Sequence, residues 1–97
     1  MFEWDTRKAS ANRDKHGVSF EEAASVFADP VALDGPDVGH SEQKSRYLRL
    51  GQAATGRVLM VAYTRMRLGD GETIRIISAR RASRKERAAY RPAHQQD

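Results

Sequence analysis

The sequence predicts an α+β fold: two N-terminal helices packed on a small antiparallel sheet of three to four strands, with a short C-terminal helix. Three observations lead there. Helix-capping signals and helical spacing fill residues 5–28, alternating apolar residues fill 46–79, and the links between the later strands are short. Helices and strands segregated in this way form α+β layers rather than an alternating α/β sheet. A chain of 97 residues supports one modest core, so the expected organisation is one domain over 1–91 and a flexible tail over 92–97.

The elements follow in order. Phe2-Glu3-Trp4 alternates and reads as a short strand docked on the sheet. Asp5 can cap a helix over Thr6–His16, and Gly17 supplies the left-handed residue that ends it. That helix offers only Ala9 and Ala11 as apolar residues, so close packing or polar contacts must hold it. Ser19 and Glu22 form a capping box, and Phe20, Ala23, Ala24 and Phe27 make a core-facing stripe that Asp29-Pro30 stops. Val31–Leu33 is a candidate strand, and Asp34–Glu42, rich in Gly, Asp and Pro, reads as a loop. Three strands then run over about 46–51, 57–65 and 72–79, an antiparallel meander. The middle one is apolar on both faces, with Leu59, Val61 and Tyr63 against Val58, Met60 and Ala62, so it belongs at the sheet centre. Ser83 and Glu86 form a second capping box opening the last helix, and Pro92 closes it.

A net charge of +4 and a pI near 9.9 favour an acidic partner, nucleic acid or protein. Without cysteine there is no disulfide and no thiolate metal site. The N-terminus lacks the apolar core of a signal peptide and no stretch is long enough to span a membrane, so a cytoplasmic location is expected. No phosphate-binding P-loop or dinucleotide fingerprint occurs, and Asp34, Asp37, His40 and Glu42 match no metal-binding spacing. No cofactor and no metal are expected.

The densest charge lies in Ile74–Tyr90, where Arg80, Arg81, Arg84 and Lys85 surround the start of a helix. The positive end of a helix disfavours cations by about 0.3–1 kcal/mol each, a cost that makes sense if an anion sits there. Free backbone N–H groups and guanidinium forks suit phosphate. On the first helix Lys8, Asn12 and Lys15 share one face, either solvated or a second basic wall. His16, in the last turn, can serve the helix carbonyls or act as an acid or base near neutral pH. Arg75, flanked by Ile74 and Ile76, either pairs with Glu72 or Glu86 or awaits a phosphate. Tyr47 and Tyr63 can stack on bases or simply pack.

Five blocks carry a family likeness: residues 2–5 (Phe-Glu-Trp-Asp), 12–23 (including Lys-His-Gly-Val-Ser-Phe-Glu-Glu-Ala), 46–51, 63–65, and 74–90 (including Arg-Ile-Ile-Ser-Ala-Arg). Together they resemble the BrnT family, toxin halves of bacterial type II toxin–antitoxin pairs. The resemblance implies a RelE-like fold, a ribonuclease that arrests translation, and a BrnA-type antitoxin that neutralises it. Such antitoxins bind DNA as dimers, so operator DNA would be reached only through the partner. The resemblance leaves the catalytic residues open, and the sequence supplies candidates. Lys15 or His16 would move protons, while Arg75, Arg80 and Arg81 would clamp the scissile phosphate. Strand alternation puts Arg80 and Arg81 on opposite sides, leaving one of them to pair with Glu86 or another carboxylate. Lys8, Asn12, Arg46, Tyr47, Arg65 and Arg84 are the candidate RNA contacts. The alternative is a non-catalytic basic module that only binds an antitoxin and co-represses its operon.

Overall fold

Residues 58–63, apolar on both faces, lie in the middle strand of the sheet. In this computed structural model, which describes residues 1–40, 46–69 and 71–94, the strands are β1 (Phe2–Glu3), β2 (Leu33–Pro36), β3 (Arg46–Gln52), β4 (Val58–Leu68) and β5 (Gly71–Arg81). They make one five-stranded sheet ordered β1-β5-β4-β3-β2. The three long strands are antiparallel, as expected, and so is β2. The expected purely antiparallel sheet of three to four strands is corrected at both edges. β1 lies parallel to β5, with Phe2 opposite Ile74 and Glu3 opposite Arg75, and β2 adds a fifth strand. That strand is Leu33–Pro36 rather than Val31–Leu33, so Asp34 is not in a loop. A Gly and a Pro survive there because β2 is an edge strand with a neighbour on one side only. Val38–His40 then forms a 3-10 turn, and the rest of the expected loop, Ser41 and Glu42, lies outside the described residues.

The helices are α1 (Thr6–His16), α2 (Phe20–Ser25) and α3 (Arg84–His94), with a 3-10 turn over Val26–Ala28. The Asp5 carboxylate accepts from the Lys8 and Arg7 backbone N–H groups, which hold its carboxyl below the usual range. Gly17, at φ 67°, donates its N–H to the Arg13 carbonyl and ends α1. The Ser19 hydroxyl accepts from the Glu22 N–H, but the Glu22 side chain turns away to Arg57 and Thr55. Only half of the expected box therefore forms. The Ser83–Glu86 box is complete, each residue's N–H bonded to the other's side chain. Pro92 does not close α3, which reaches His94. A proline removes one backbone donor, and in a final turn water can serve the carbonyl left behind. Of the tail expected over 92–97, residues 92–94 belong to α3 and 95–97 lie outside the described residues.

One sheet face carries the main core, where Val18, Phe20, Ala23, Val26, Leu59 and Val61 lie between α2, its 3-10 turn and β4. Burial of each large apolar side chain contributes roughly 1.5–3 kcal/mol. The turn presses so closely on β3 that a Cβ at Gly51 would lie 2.8 Å from the Ala32 Cβ and 2.9 Å from the Val26 Cγ1. The other face carries a smaller cluster, Leu50, Ala82 and Tyr90, flanked by Val58 and Met60, beneath α3. The Tyr90 hydroxyl donates to Asp29, and burial together with that carboxylate pushes its pKa up to about 12.

Candidate functional site

Two features of β5 create the site. First, its ladder to β4 shifts register: Ser78 faces Ala62 and Ile76 faces Tyr63, so Ile77 is an extra residue, a β-bulge. Second, β1 pairs with β5 only at Ile74 and Arg75, and the outer edge beyond is left to α1. There Asn12, the one buried residue of α1, stands in for a strand. Its amide nitrogen donates to the Ala79 carbonyl at 2.8 Å and the Val18 carbonyl at 3.0 Å, and its oxygen accepts from the Ala79 N–H at 3.1 Å. The thinly apolar α1 is thus held by polar contact, one of the two ways its composition left open, and Ala9 packs against the core as well. The Asn12 carboxamide, expected to face RNA, is committed to the backbone instead.

Between the pinned helix and the bulge lies a shallow depression of about 210 Å³ lined by Lys8, Ala11, Asn12, Lys15, His16, Ile77 and Ser78. It gathers four of the expected residues. Lys8 and Lys15 are exposed and His16 is half-buried. Among the described residues, neither lysine has a carboxylate at ion-pair distance. No carboxylate lines the depression.

The expected arginine clamp does not assemble. Arg75 pairs with Glu3 across β1–β5, not with Glu72 or Glu86, because β1 places Glu3 directly opposite it. Arg80 is forked onto Glu86 at 2.7 and 2.8 Å, and this bond, ahead of the Ser83 N–H, holds the Glu86 carboxyl at about 2. Arg81, next along the strand, is exposed and makes no ion pair among the described residues. The helix start that looked ready for phosphate is therefore already answered by the protein's own carboxylate. Arg46 pairs with Asp37, and Arg84 is exposed at the start of α3.

Tyr63 is wholly buried, so it cannot stack on a base. Its ring lies edge-on to Phe27 and stacks with Tyr47 at 5.7 Å, and its hydroxyl donates to Asp34. Burial first, then the Asp34 carboxylate, push its pKa up to about 12. Arg65 lies over both tyrosine rings.

Sequence reasoning missed the bulge, Ser78 and the second bridge of α2. In that bridge Arg57 binds Glu22 through two nitrogens and the Gly17 carbonyl through one, lowering the Glu22 pKa through the Arg57 hydrogen bond. Nothing local in Ile-Ile-Ser announces a bulge. The Glu22 bridge had no local signal either, since its partner is 35 residues away.

Among the described residues, no helix is long and apolar enough to cross a membrane. No curated relative matches the sequence. A crystal structure of the Brucella abortus ribonuclease toxin, BrnT, is similar at a TM-score of 0.63 and 23% identity, covering 87% of this chain and 99% of that one. At that identity the likeness shows the fold alone. A family model described as the ribonuclease toxin BrnT of type II toxin–antitoxin systems matches residues 4–86. That match takes in the pinned helix, the bulge and the Arg80–Glu86 pair, and with it the chain belongs to the BrnT family of ribonuclease toxins.

Proposed function

We propose that this chain cuts RNA without a metal ion, at the depression between α1 and the β5 bulge. Cleavage there would inhibit translation, and a BrnA-type antitoxin would neutralise it. The observation that carries the reading is the set of side chains in one hollow: two lysines with no carboxylate at ion-pair distance and a histidine, with no carboxylate among the described residues lining it. Within a family of ribonuclease toxins, a hollow of this composition suits the route in which RNA supplies its own nucleophile.

In that route the 2′-hydroxyl attacks the adjacent phosphorus as a base removes its proton. The bond to the 5′-oxygen breaks as an acid protonates it, leaving a 2′,3′-cyclic phosphate and a 5′-hydroxyl. His16 would be the base, since a neutral imidazole accepts a proton near neutral pH. Lys15 would protonate the leaving oxygen, and Lys8 would stabilise the charge gathering on the phosphorane. Arg81 lies about 10 Å past Ser78 along β5, within reach of a flanking phosphate. Arg65 and Arg84 would bind the strand farther away, while Arg46, Arg75 and Arg80 are left out because their charges are already answered.

The test is product chemistry. Purified protein incubated with single-stranded RNA in excess EDTA is expected to release fragments ending in cyclic phosphate. RNA left intact in EDTA but cut on adding a divalent ion would overturn the metal-free route. RNA left intact under both conditions, with tight binding to the product of the neighbouring gene, would favour the non-catalytic module.

A further inference from the structure

We infer that Arg65, seated on the Tyr47–Tyr63 pair, is a stacking surface for an unpaired nucleobase of the RNA. This deepens the reading above and rests on RNA being the substrate. Tyr47 and Tyr63 face each other across β3 and β4 with ring centroids 5.7 Å apart. The Arg65 guanidinium carbon lies 5.7 Å from one centroid and 5.9 Å from the other, within cation–π range of both.

The rings beneath cannot turn away. Tyr63 is wedged edge-on against Phe27 at 4.8 Å, and its hydroxyl is held by Asp34, which Arg49 also grips. Phe2, 39% exposed and 5.3 Å from Phe27, extends the aromatic patch.

Arg65 itself is exposed and, among the described residues, has no carboxylate partner, whereas Arg46, Arg49, Arg57, Arg75 and Arg80 each have one. A guanidinium backed by aromatic rings and left open to solvent presents a planar cation on which a base can stack, as bases do on arginine planes in single-stranded RNA recognition. A base inside a duplex is already paired and stacked, so the site selects unpaired RNA.

The experiment compares wild type with Arg65→Lys, which keeps the charge and loses the plane. The probes are a fully 2′-O-methyl single-stranded oligonucleotide, the same strand with abasic positions, and the same strand in a duplex. None can be attacked by a 2′-hydroxyl, so binding is read apart from cleavage. Arg65→Lys is expected to weaken the intact single strand at least about fivefold. Its affinity for the abasic strand should stay within twofold of wild type, and the duplex should bind no better than the abasic strand. Equal binding of the intact strand by both proteins, or equal losses on intact and abasic strands, would overturn the inference, the latter marking a phosphate contact. So would failure of every strand to bind. A loss confined to antitoxin binding would also overturn it and give the patch to the protein partner. Cleavage of ordinary RNA by wild type, measured alongside, tests the parent reading separately.

Discussion

The molecule has two basic clusters built on opposite principles. At the β5–α3 junction, charge is dense in sequence but the inner part of it is met in space: Arg80 is forked on Glu86, which also closes the cap of α3, and Arg75 farther down β5 is paired with Glu3, while Arg81 and Arg84 stay exposed. On α1 the charge is sparser, yet among the described residues Lys8 and Lys15 face a hollow with no carboxylate at ion-pair distance. The difference teaches that counting cations locates basic sequence, while the acids brought back by the fold decide which cations a substrate can use. An acid three residues into a helix serves the cap and the nearest arginine together, so a capping box beside arginines is a sign of charge already met.

The largest expected effect separates the clusters directly. His16→Ala should lower RNA cleavage by about 10²–10⁴-fold, the usual contribution of a positioned acid or base. Arg75→Ala and Arg80→Ala should each cost less than about tenfold, since removing a partly exposed ion pair removes little beyond stability. Initial rates on one oligoribonucleotide, with folding checked by circular dichroism, decide the matter. If the arginine variants lose more than the histidine variant, the working cluster is the other one.

Next comes the pin that makes the α1 cluster. Asn12→Ala leaves the Ala79 N–H and the Ala79 and Val18 carbonyls without their partner, at a cost of about 3 kcal/mol in urea unfolding. Asn12→Asp should be as damaging at neutral pH, because a carboxylate would face two carbonyl oxygens, and it should recover as acid protonates it. A midpoint for Asn12→Ala close to wild type would mean that α1 is held by something else.

Much of this was legible in the sequence. The α1 limits, both capping serines, the central β4 and the need of α1 for close packing or polar attachment all follow from local rules: a cap, a left-handed glycine, two apolar faces, too few apolar residues. What could not be read depends on residues far apart. The parallel edge strand needs Met1–Glu3 to meet Glu72–Arg75, and the Arg75–Glu3 pair follows from that meeting. The site was half legible: Lys8, Asn12 and Lys15 share a helix face by spacing and His16 stands out in the last turn, but the hollow they line also takes in a bulge that no residue type announces.

A smaller effect probes the junction by pH. The Glu86 carboxyl titrates near 2 in the fold against an ordinary value of 4.5, so its contribution is full above about pH 4.5 and is lost as pH falls toward 2. After allowance for solvent screening it contributes about 1 kcal/mol. Glu86→Gln should therefore be less stable than wild type at pH 7, and the gap should close between pH 4.5 and 2. Urea midpoints at pH 7, 4.5 and 2.5 check it. A gap that does not change with pH would show that Glu86 acts through its cap geometry alone and leaves Arg80's charge available.

The smallest effect separates the clusters by counting counterions. Each phosphate contact on a single strand contributes about 0.7 to the slope of log affinity against log salt. Lys8→Gln should lower that slope by roughly one contact, because among the described residues its ammonium has no carboxylate at ion-pair distance and can displace a counterion from RNA. Arg80→Gln should leave the slope nearly unchanged: its guanidinium is bound to Glu86, and meeting a phosphate would mean breaking that pair. Affinities for an uncleavable oligonucleotide at several salt concentrations read both slopes in one experiment. Equal reductions from the two variants would show that Glu86 yields its arginine to RNA, and the junction would then count as part of the binding surface after all.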